Sequence, residues 1–325
     1  MKKIFPTRKK GISFLPKKWI LAICLVSIAG NTPATQPPKS GKAYVVSNAH
    51  LDTQWLWTVR TSIIDYIPRT IYQNLALIHD YPDYIFNFEG AVKYNWMKEY
   101  YPLDYEKVKE AIKNGRWHVS GSSWDANDVN VPSPESSFRN ILLGQEFYKK
   151  EFGLKSTDIF LPDCFGFGYT LPSIAKHCGL IGFSTQKLGW RKKPFYGDSK
   201  IPFTIGRWKG IDGAELICAL DCGSYVHNFK DDDLTKDNDL IQSVERDPMR
   251  TAYRYFGAGD RGGSAMPVSA MAIEKAQVSG DGPIEIVCAS SDQLYKDYLH
   301  SGKVKELPVF DGELLMDVHA SGCYT

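Results

Sequence analysis

The sequence predicts an α/β protein built on a parallel sheet, either open or closed into a barrel. Three observations carry this. Eight short apolar, β-branched runs recur along the chain, stretches with three- and four-residue apolar spacing lie between them, and acidic clusters fall just past several runs. Strands that alternate with helices pair in parallel, because each helical crossover returns the chain in the same direction. In such folds the chemistry belongs at the carboxyl ends of the strands.

The first strand is expected at 44–47 (Tyr-Val-Val-Ser) and the second at 84–88 (Tyr-Ile-Phe-Asn-Phe), with a helix over 65–79 between them. A helix over 105–114 stops at Asn114-Gly115, since glycine takes the left-handed cap without steric cost. The third strand follows at 117–120. A helix over 136–152 leads to the fourth strand, 158–161, which Pro162 ends. Runs at 181–185, 215–220, 253–257 and 284–289 complete the series. No internal repeat is visible.

Hydrophobic residues are 43% of the 325 and charged residues 23%, enough for one large domain or two small ones and unlike a disordered or collagen-like chain. Residues 1–30 carry seven basic side chains (Lys2, Lys3, Arg8, Lys9, Lys10, Lys17, Lys18) and no acidic one, so the formal +2 of the chain becomes −5 without them. The apolar run 19–29 is shorter than the roughly 20 residues a spanning helix needs. With small residues at Ser27 and Ala29, it reads as a secretory signal over 1–30, cleaved near Ala29 or Gly30. An uncleaved anchor is the alternative. The expected location is therefore exported, periplasmic or secreted, with no membrane span after cleavage. The remaining −5 offers no electrostatic footprint for nucleic acid. Residues 31–42 are Pro- and Thr-rich and read as a tether, leaving 43–325 as the folded domain. Six cysteines follow the signal, too few for a disulfide-built scaffold, and no CxxC pair points to a zinc knuckle.

Three acidic clusters sit past strands. His50-Leu-Asp52-Thr-Gln-Trp55 follows the first, and in extended backbone residues 50 and 52 point the same way. One imidazole and one carboxylate so placed suit a divalent metal such as zinc. A buried, hydrogen-bonded histidine is the other reading of His50. Leu161-Pro-Asp163-Cys-Phe-Gly166 follows the fourth strand and presents Asp163 on a stiff loop. Asp163 could instead cap the next helix, but Thr170 and Pro172 already start it. Phe256-Gly-Ala-Gly-Asp260-Arg-Gly-Gly263 is a glycine-rich loop with one carboxylate, lacking the GK[ST] of a phosphate cradle. It is either a site for close approach to an uncharged ligand or an ordinary turn.

In this order and spacing the three clusters resemble glycoside hydrolase family 38, the zinc-dependent alpha-mannosidases. The segments 123–136, 183–187, Arg207-Trp208 and 312–319 resemble further parts of that family, so the likeness covers 43–325. The resemblance implies a seven-stranded α/β barrel, with at least one of the eight runs outside it, and retaining hydrolysis of alpha-mannosidic bonds in glycans. It implies Zn2+ ligands at His50, Asp52 and Asp163, with Asp163 also the nucleophile and Asp260 the general acid/base. Trp55 resembles the platform beneath the sugar ring. Asp128 and Asn130, in the 123–136 segment, together with Lys187 and Tyr225, resemble substrate contacts.

The chain departs from the family at its end. Family members carry a fourth zinc ligand, a histidine in a helical region after the barrel, and this sequence stops at Thr325 before such a segment. The resemblance therefore implies an N-terminal catalytic domain truncated before the helical domain, its barrel open or incomplete there. Two other readings stand beside it: a non-catalytic carbohydrate-binding remnant, and another metal-dependent hydrolase such as a polysaccharide deacetylase. The latter calls for further histidines near His50, which the sequence does not supply.

Overall fold

The computed structural model describes residues 39–188, 201–230 and 232–315. The expected signal over 1–30, the tether up to 38, and the stretch holding His319 and Cys323 lie outside the described residues. Within them the chain runs β1 (Gly41–Ala49), α1 (Val59–Thr61), α2 (Ile67–Asp80), β2 (Phe86–Glu89), α3 (Ala91–Tyr100), α4 (Pro102–Lys113) and β3 (Trp117–Ser120). It continues through α5 (Pro134–Phe152), β4 (Asp158–Phe160), α6 (Leu171–His177), β5 (Gly182–Ser184), β6 (Ile205–Lys209) and β7 (Glu215–Ala219). The last elements are α7 (Asn238–Arg246), β8 (Thr251–Ala258), α8 (Pro267–Ser279), β9 (Ile284–Cys288), α9 (Gln293–Ser301) and β10 (Val309–Asp311).

All eight expected runs form strands, but not as a seven-stranded barrel. The described strands make two five-stranded sheets, and no closed barrel forms. In the first, the order is β3-β2-β1-β8, with β9 also on β1. β8 follows β1 from Lys42 to Ala49. On the opposite edge β9 pairs with Gly41–Val45 and β2 with Ser47 and Asn48. The second sheet is ordered β10-β6-β7-β5-β4. Loop hydrogen bonds join the two where Ser122 N donates to Asp158 O (3.0 Å) and Tyr255 N to Cys222 O (2.8 Å).

β6 and β10 are strands that the sequence did not announce. β6 reads Ile-Gly-Arg-Trp-Lys, an alternation too polar to stand out as an apolar run. It also breaks the all-parallel expectation, since β6 and β7 are antiparallel. Only residues 210–214 separate them, closed by Gly210 N to Ala214 O at 2.8 Å. So short a link can only reverse the chain, whereas a parallel partner needs a crossover of roughly a dozen residues.

The apolar runs are legible because the central strands are buried on both faces. Alternate residues serve different cores: Ala43 and Val45 of β1 pack with the helices around the first sheet, while Tyr44 and Val46 pack inward. β8 repeats this, Ala252 and Phe256 facing the helices and Tyr253 and Tyr255 facing inward. Ile217 and Ala219 of β7 meet them from the second sheet. The inner core therefore comes from both sheets, and the strand ends around it are the natural place for a site.

Helix ends differ from the periodicity by local chemistry. α5 starts at Pro134 because Ser133 caps it, its Oγ accepting from Ser136 N at 3.2 Å. A π-helical turn, Ser62–Tyr66, delays α2 to Ile67. The tether is shorter than expected: Gly41 already pairs with Ile284, and Lys39 Nζ donates to Gly280 O (3.0 Å) and Gly282 O (2.7 Å). Cys164, Cys178, Cys218, Cys222 and Cys288 are all free thiols. Among the described residues no helix is long and apolar enough to cross a membrane.

Candidate active site

The extended backbone of β1 continues two residues past its ladder. Leu51 bridges to Arg261 and is buried in the helix-side core, so His50 and Asp52 turn to the other face together. β4 then delivers Asp163 through Leu161 and Pro162, and the tail of β5 delivers Lys187. These groups converge. His50 Nε2 lies 3.4 Å from Asp52 Oδ1 and 3.6 Å from Asp163 Oδ2. Lys187 Nζ meets the other Asp163 oxygen, Oδ1, at 2.5 Å. Its ammonium also stands over the rings of Tyr225 (5.1 Å) and Phe165 (5.2 Å).

His50 is 4% exposed, and its Nδ1 is 3.0 Å from Glu89 Oε1. A carboxylate can only accept, so Nδ1 carries the hydrogen and Nε2 is left facing Asp52 and Asp163, with a lone pair to offer once the ring is neutral. Nε2 is buried and has no hydrogen-bond partner. Ligand atoms of His50, Asp52 and Asp163 lie within 4.8 Å of one another. A buried imidazole nitrogen facing two carboxylates fits a divalent cation. The mixed N/O set favours zinc or a similar transition ion over magnesium or calcium, which prefer oxygen alone. The charges point the same way. Burial opposes protonation of His50, yet the Asp52 and Glu89 carboxylates outweigh it and raise its pKa to about 10. The site thus attracts positive charge at Nε2.

Asp260 enters from the loop after β8. It has φ 61, uncommon for a residue with a side chain, and the backbone strain is held by hydrogen bonds on both sides of it. His50 N donates to Ala258 O (3.0 Å), Asp52 N to Asp260 O (2.9 Å) and Gly262 N to His50 O (3.0 Å). Tyr225 OH donates to Asp260 Oδ1 at 2.9 Å, and its ring stands edge-on to His50 with centroids 5.3 Å apart. Gly259 makes room for that ring, because a Cβ there would lie 2.1 Å from Tyr225 Cε2. Burial, with the charges of Asp163 and Asp260, keeps the Tyr225 phenol protonated far above neutral pH. Arg261 lies over the Trp57 ring at 5.4 Å.

The remaining expected contacts are placed less uniformly. Trp55 is half-exposed at the rim and edge-on to Trp57. Asp128 accepts from Asn130 N (2.7 Å) and Val131 N (3.0 Å), and Asn130 Nδ2 donates to Gly166 O (3.1 Å). This pair shapes the 123–136 segment and fastens it to the Asp163 loop. Asp163 does not cap α6; Thr170 holds the cap position there. Two site residues went unread in the sequence. Asn48 donates to Tyr225 O (3.1 Å) and Phe256 O (3.0 Å), tying the ends of β1 and β8 to the loop after β7. Glu89 ends β2, and the rule that singled out residues past other strands would have found it.

This geometry defines a class: an α/β protein with one imidazole and two carboxylates around a cation position at its strand ends, and a further carboxylate opposite. The chain belongs to the glycosyl hydrolases family 38, whose N-terminal domain matches residues 40–313. It is 32% identical over 289 residues to "Alpha-mannosidase G" of Dictyostelium discoideum, covering 87% of this chain and 25% of that protein. Over 286 residues it is 30% identical to "Alpha-mannosidase 2C1" of Homo sapiens, covering 87% and 26%. The chain thus spans about a quarter of the length of the curated relatives it matches. Among solved structures, an alpha-mannosidase from Enterococcus faecalis shares the fold at TM-score 0.68 and 21% identity, over 84% of this chain and 31% of that one. A putative polysaccharide deacetylase from Mycobacterium smegmatis shares it at TM-score 0.50 and 12% identity, over 82% and 93%.

Proposed function

We propose that the chain carries the site of a retaining alpha-mannosidase, with Asp163 as nucleophile, Asp260 as general acid/base, and zinc held by His50, Asp52 and Asp163. One observation carries the reading: Tyr225 donates to Asp260 (2.9 Å), and the Lys187 ammonium that meets Asp163 (2.5 Å) stands over the Tyr225 ring (5.1 Å), so both carboxylates are gathered about one phenol. Retaining enzymes need about 5–5.5 Å between the two carboxyl groups, inverting ones about 6.5–9.5 Å. Two carboxylates gathered about one phenol support a pair that acts on one sugar, and the retaining assignment is what the stereochemical test below decides.

In the first step an Asp163 oxygen bonds to the anomeric carbon while the bond to the leaving oxygen breaks and Asp260 gives that oxygen its proton. Asp260, now a carboxylate, then takes a proton from water, whose oxygen displaces Asp163 and releases mannose with its starting configuration. Tyr225 occupies Oδ1 of Asp260, so the transferable proton belongs to Oδ2. Lys187 fixes Oδ1 of Asp163. Trp55 offers an apolar ring at the rim for the sugar's carbon face. When bound, zinc supplies a template and positive charge for sugar hydroxyls beside the anomeric carbon.

The test is proton NMR of an aryl alpha-mannoside incubated with the zinc-loaded protein. The first anomer released should be alpha. Initial release of the beta anomer rejects the retaining mechanism, and binding of mannose without turnover turns the site into a carbohydrate-binding remnant. The deacetylase reading gains nothing from the donor set, which among the described residues contains one histidine. We also assign residues 1–30 to an export signal. N-terminal sequencing of externally recovered protein should start near residue 30, and Met1 there rejects the assignment.

A further inference from the structure

We propose that Glu89 is a positioning residue for the cation site, acting through His50, and that Lys93 is the counter-charge that lets this carboxylate stay buried. The inference rests on the cation reading above and concerns residues to which that reading gives no role. β1 and β2 are in register at Ser47↔Phe86 and Asn48↔Asn87, and two residues further on the same register sets Glu89 beside His50. Glu89 Oε1 is 3.0 Å from His50 Nδ1 and 2.9 Å from Lys93 Nζ. All three side chains are buried, Glu89 at 1% and Lys93 at 0% exposure.

A lysine wholly out of water is costly unless an opposite charge meets it. Lys93 reaches Glu89 because the chain turns at Gly90, whose φ of 87 suits glycine, and α3 starts at once, placing residue 93 four positions on from the carboxylate. The ion pair alone could be a structural feature. What gives it direction is that the same oxygen, Oε1, also faces the His50 ring. With Nδ1–H committed to Glu89, the ring cannot turn over or change tautomer, and Nε2 is left buried and unpartnered toward Asp52 and Asp163. Carboxylates in this relation to a ligating histidine fix its orientation and commonly account for 10–100-fold in metal affinity.

The test measures zinc affinity by competition with a chromophoric chelator for the native chain, Glu89→Gln, and the charge-balanced Glu89→Gln/Lys93→Gln. Glu89→Gln should bind zinc about 10–100-fold more weakly. It should also melt lower, because Lys93 loses its counter-charge. The double variant should regain melting temperature but not affinity. Native affinity in Glu89→Gln, or affinity that returns together with stability in the double variant, makes Glu89 a structural residue and overturns the proposal. Should either variant fail to fold, nitrogen-15 NMR of the zinc-loaded native chain decides: one histidine ring should bind metal through Nε2 with hydrogen on Nδ1, and a ring bound through Nδ1 overturns the proposal. A native chain that takes up no zinc refutes the cation reading itself, an outcome distinct from unchanged affinity in the variants.

Discussion

The backbone amide of Asp52 donates to the carbonyl of Asp260 at 2.9 Å. A residue assigned to the cation and the residue assigned to proton transfer are thereby joined by the main chain, beyond the end of the β1–β8 ladder. Side chains anchored in this way need no loop closure to find their relative positions, which is how a rigid scaffold places reacting groups.

Asp163→Asn should abolish turnover of activated aryl alpha-mannosides by a factor on the order of 10^4 or more, as expected for loss of a nucleophile. Circular dichroism should stay native. The melting temperature should drop, because Lys187 loses the carboxylate it meets at 2.5 Å. Residual activity of more than a few per cent, with an unaltered leaving-group dependence, rejects the assignment.

For Asp260→Ala, the loss should depend on the leaving group. Substrates with poor leaving groups should slow about 10^2–10^4-fold, and activated aryl mannosides far less. Added azide should restore deglycosylation and give mannosyl azide of retained configuration. Equal slowing of all substrates with no azide effect would reduce Asp260 to a loop residue.

Zinc affinity should rise with pH. The His50 pKa is raised from 6.5 to about 10, burial opposing and the Asp52 and Glu89 carboxylates prevailing, so the ring of the metal-free protein is protonated at neutral pH. Binding at Nε2 must expel that proton, and apparent affinity should climb about tenfold per pH unit between neutrality and the folded pKa, then level off. Calorimetry in buffers of different ionisation enthalpy should show one proton released per zinc at pH 7.5. No release there would mean that the imidazole is neutral before binding. His50→Ala should remove zinc uptake, read by elemental analysis.

Gly144→Ala should destabilise the protein although it replaces a helical glycine. In an exposed helix the change gains about 1 kcal/mol. In α5, however, the new Cβ would lie 2.3 Å from Ser122 O and 2.4 Å from the Ser123 carbonyl carbon. Backbone cannot move aside as a side-chain tip does, so a net loss of about 1–3 kcal/mol is expected in urea unfolding. A stabilised variant would show that α5 does not lie directly on the segment after β3.

His50, Asp52, Asp163 and Asp260 were readable because each lies just past a strand that declares itself. Asp128 and Asn130 were picked out from the same chain, and both bond to loop backbone; a polar side chain in a loop looks the same in sequence whether it faces a ligand, a carbonyl or both. Glu89 went unread for a related reason. Its run Phe-Asn-Phe-Glu looks like the close of a strand, and its importance depends on a histidine 39 positions earlier.

What the sequence determined by itself is the alternation of strands and helices and the set of acidic loops. Strands buried on both faces read as near-continuous apolar runs, and charged residues at their carboxyl ends are thereby thrown into relief. The division into two sheets, the antiparallel β6–β7 pair and the Lys93–Glu89–His50 chain were decided only by the tertiary structure. Each depends on which edges meet and in what register, and pairing between distant segments leaves no periodic trace in either segment alone.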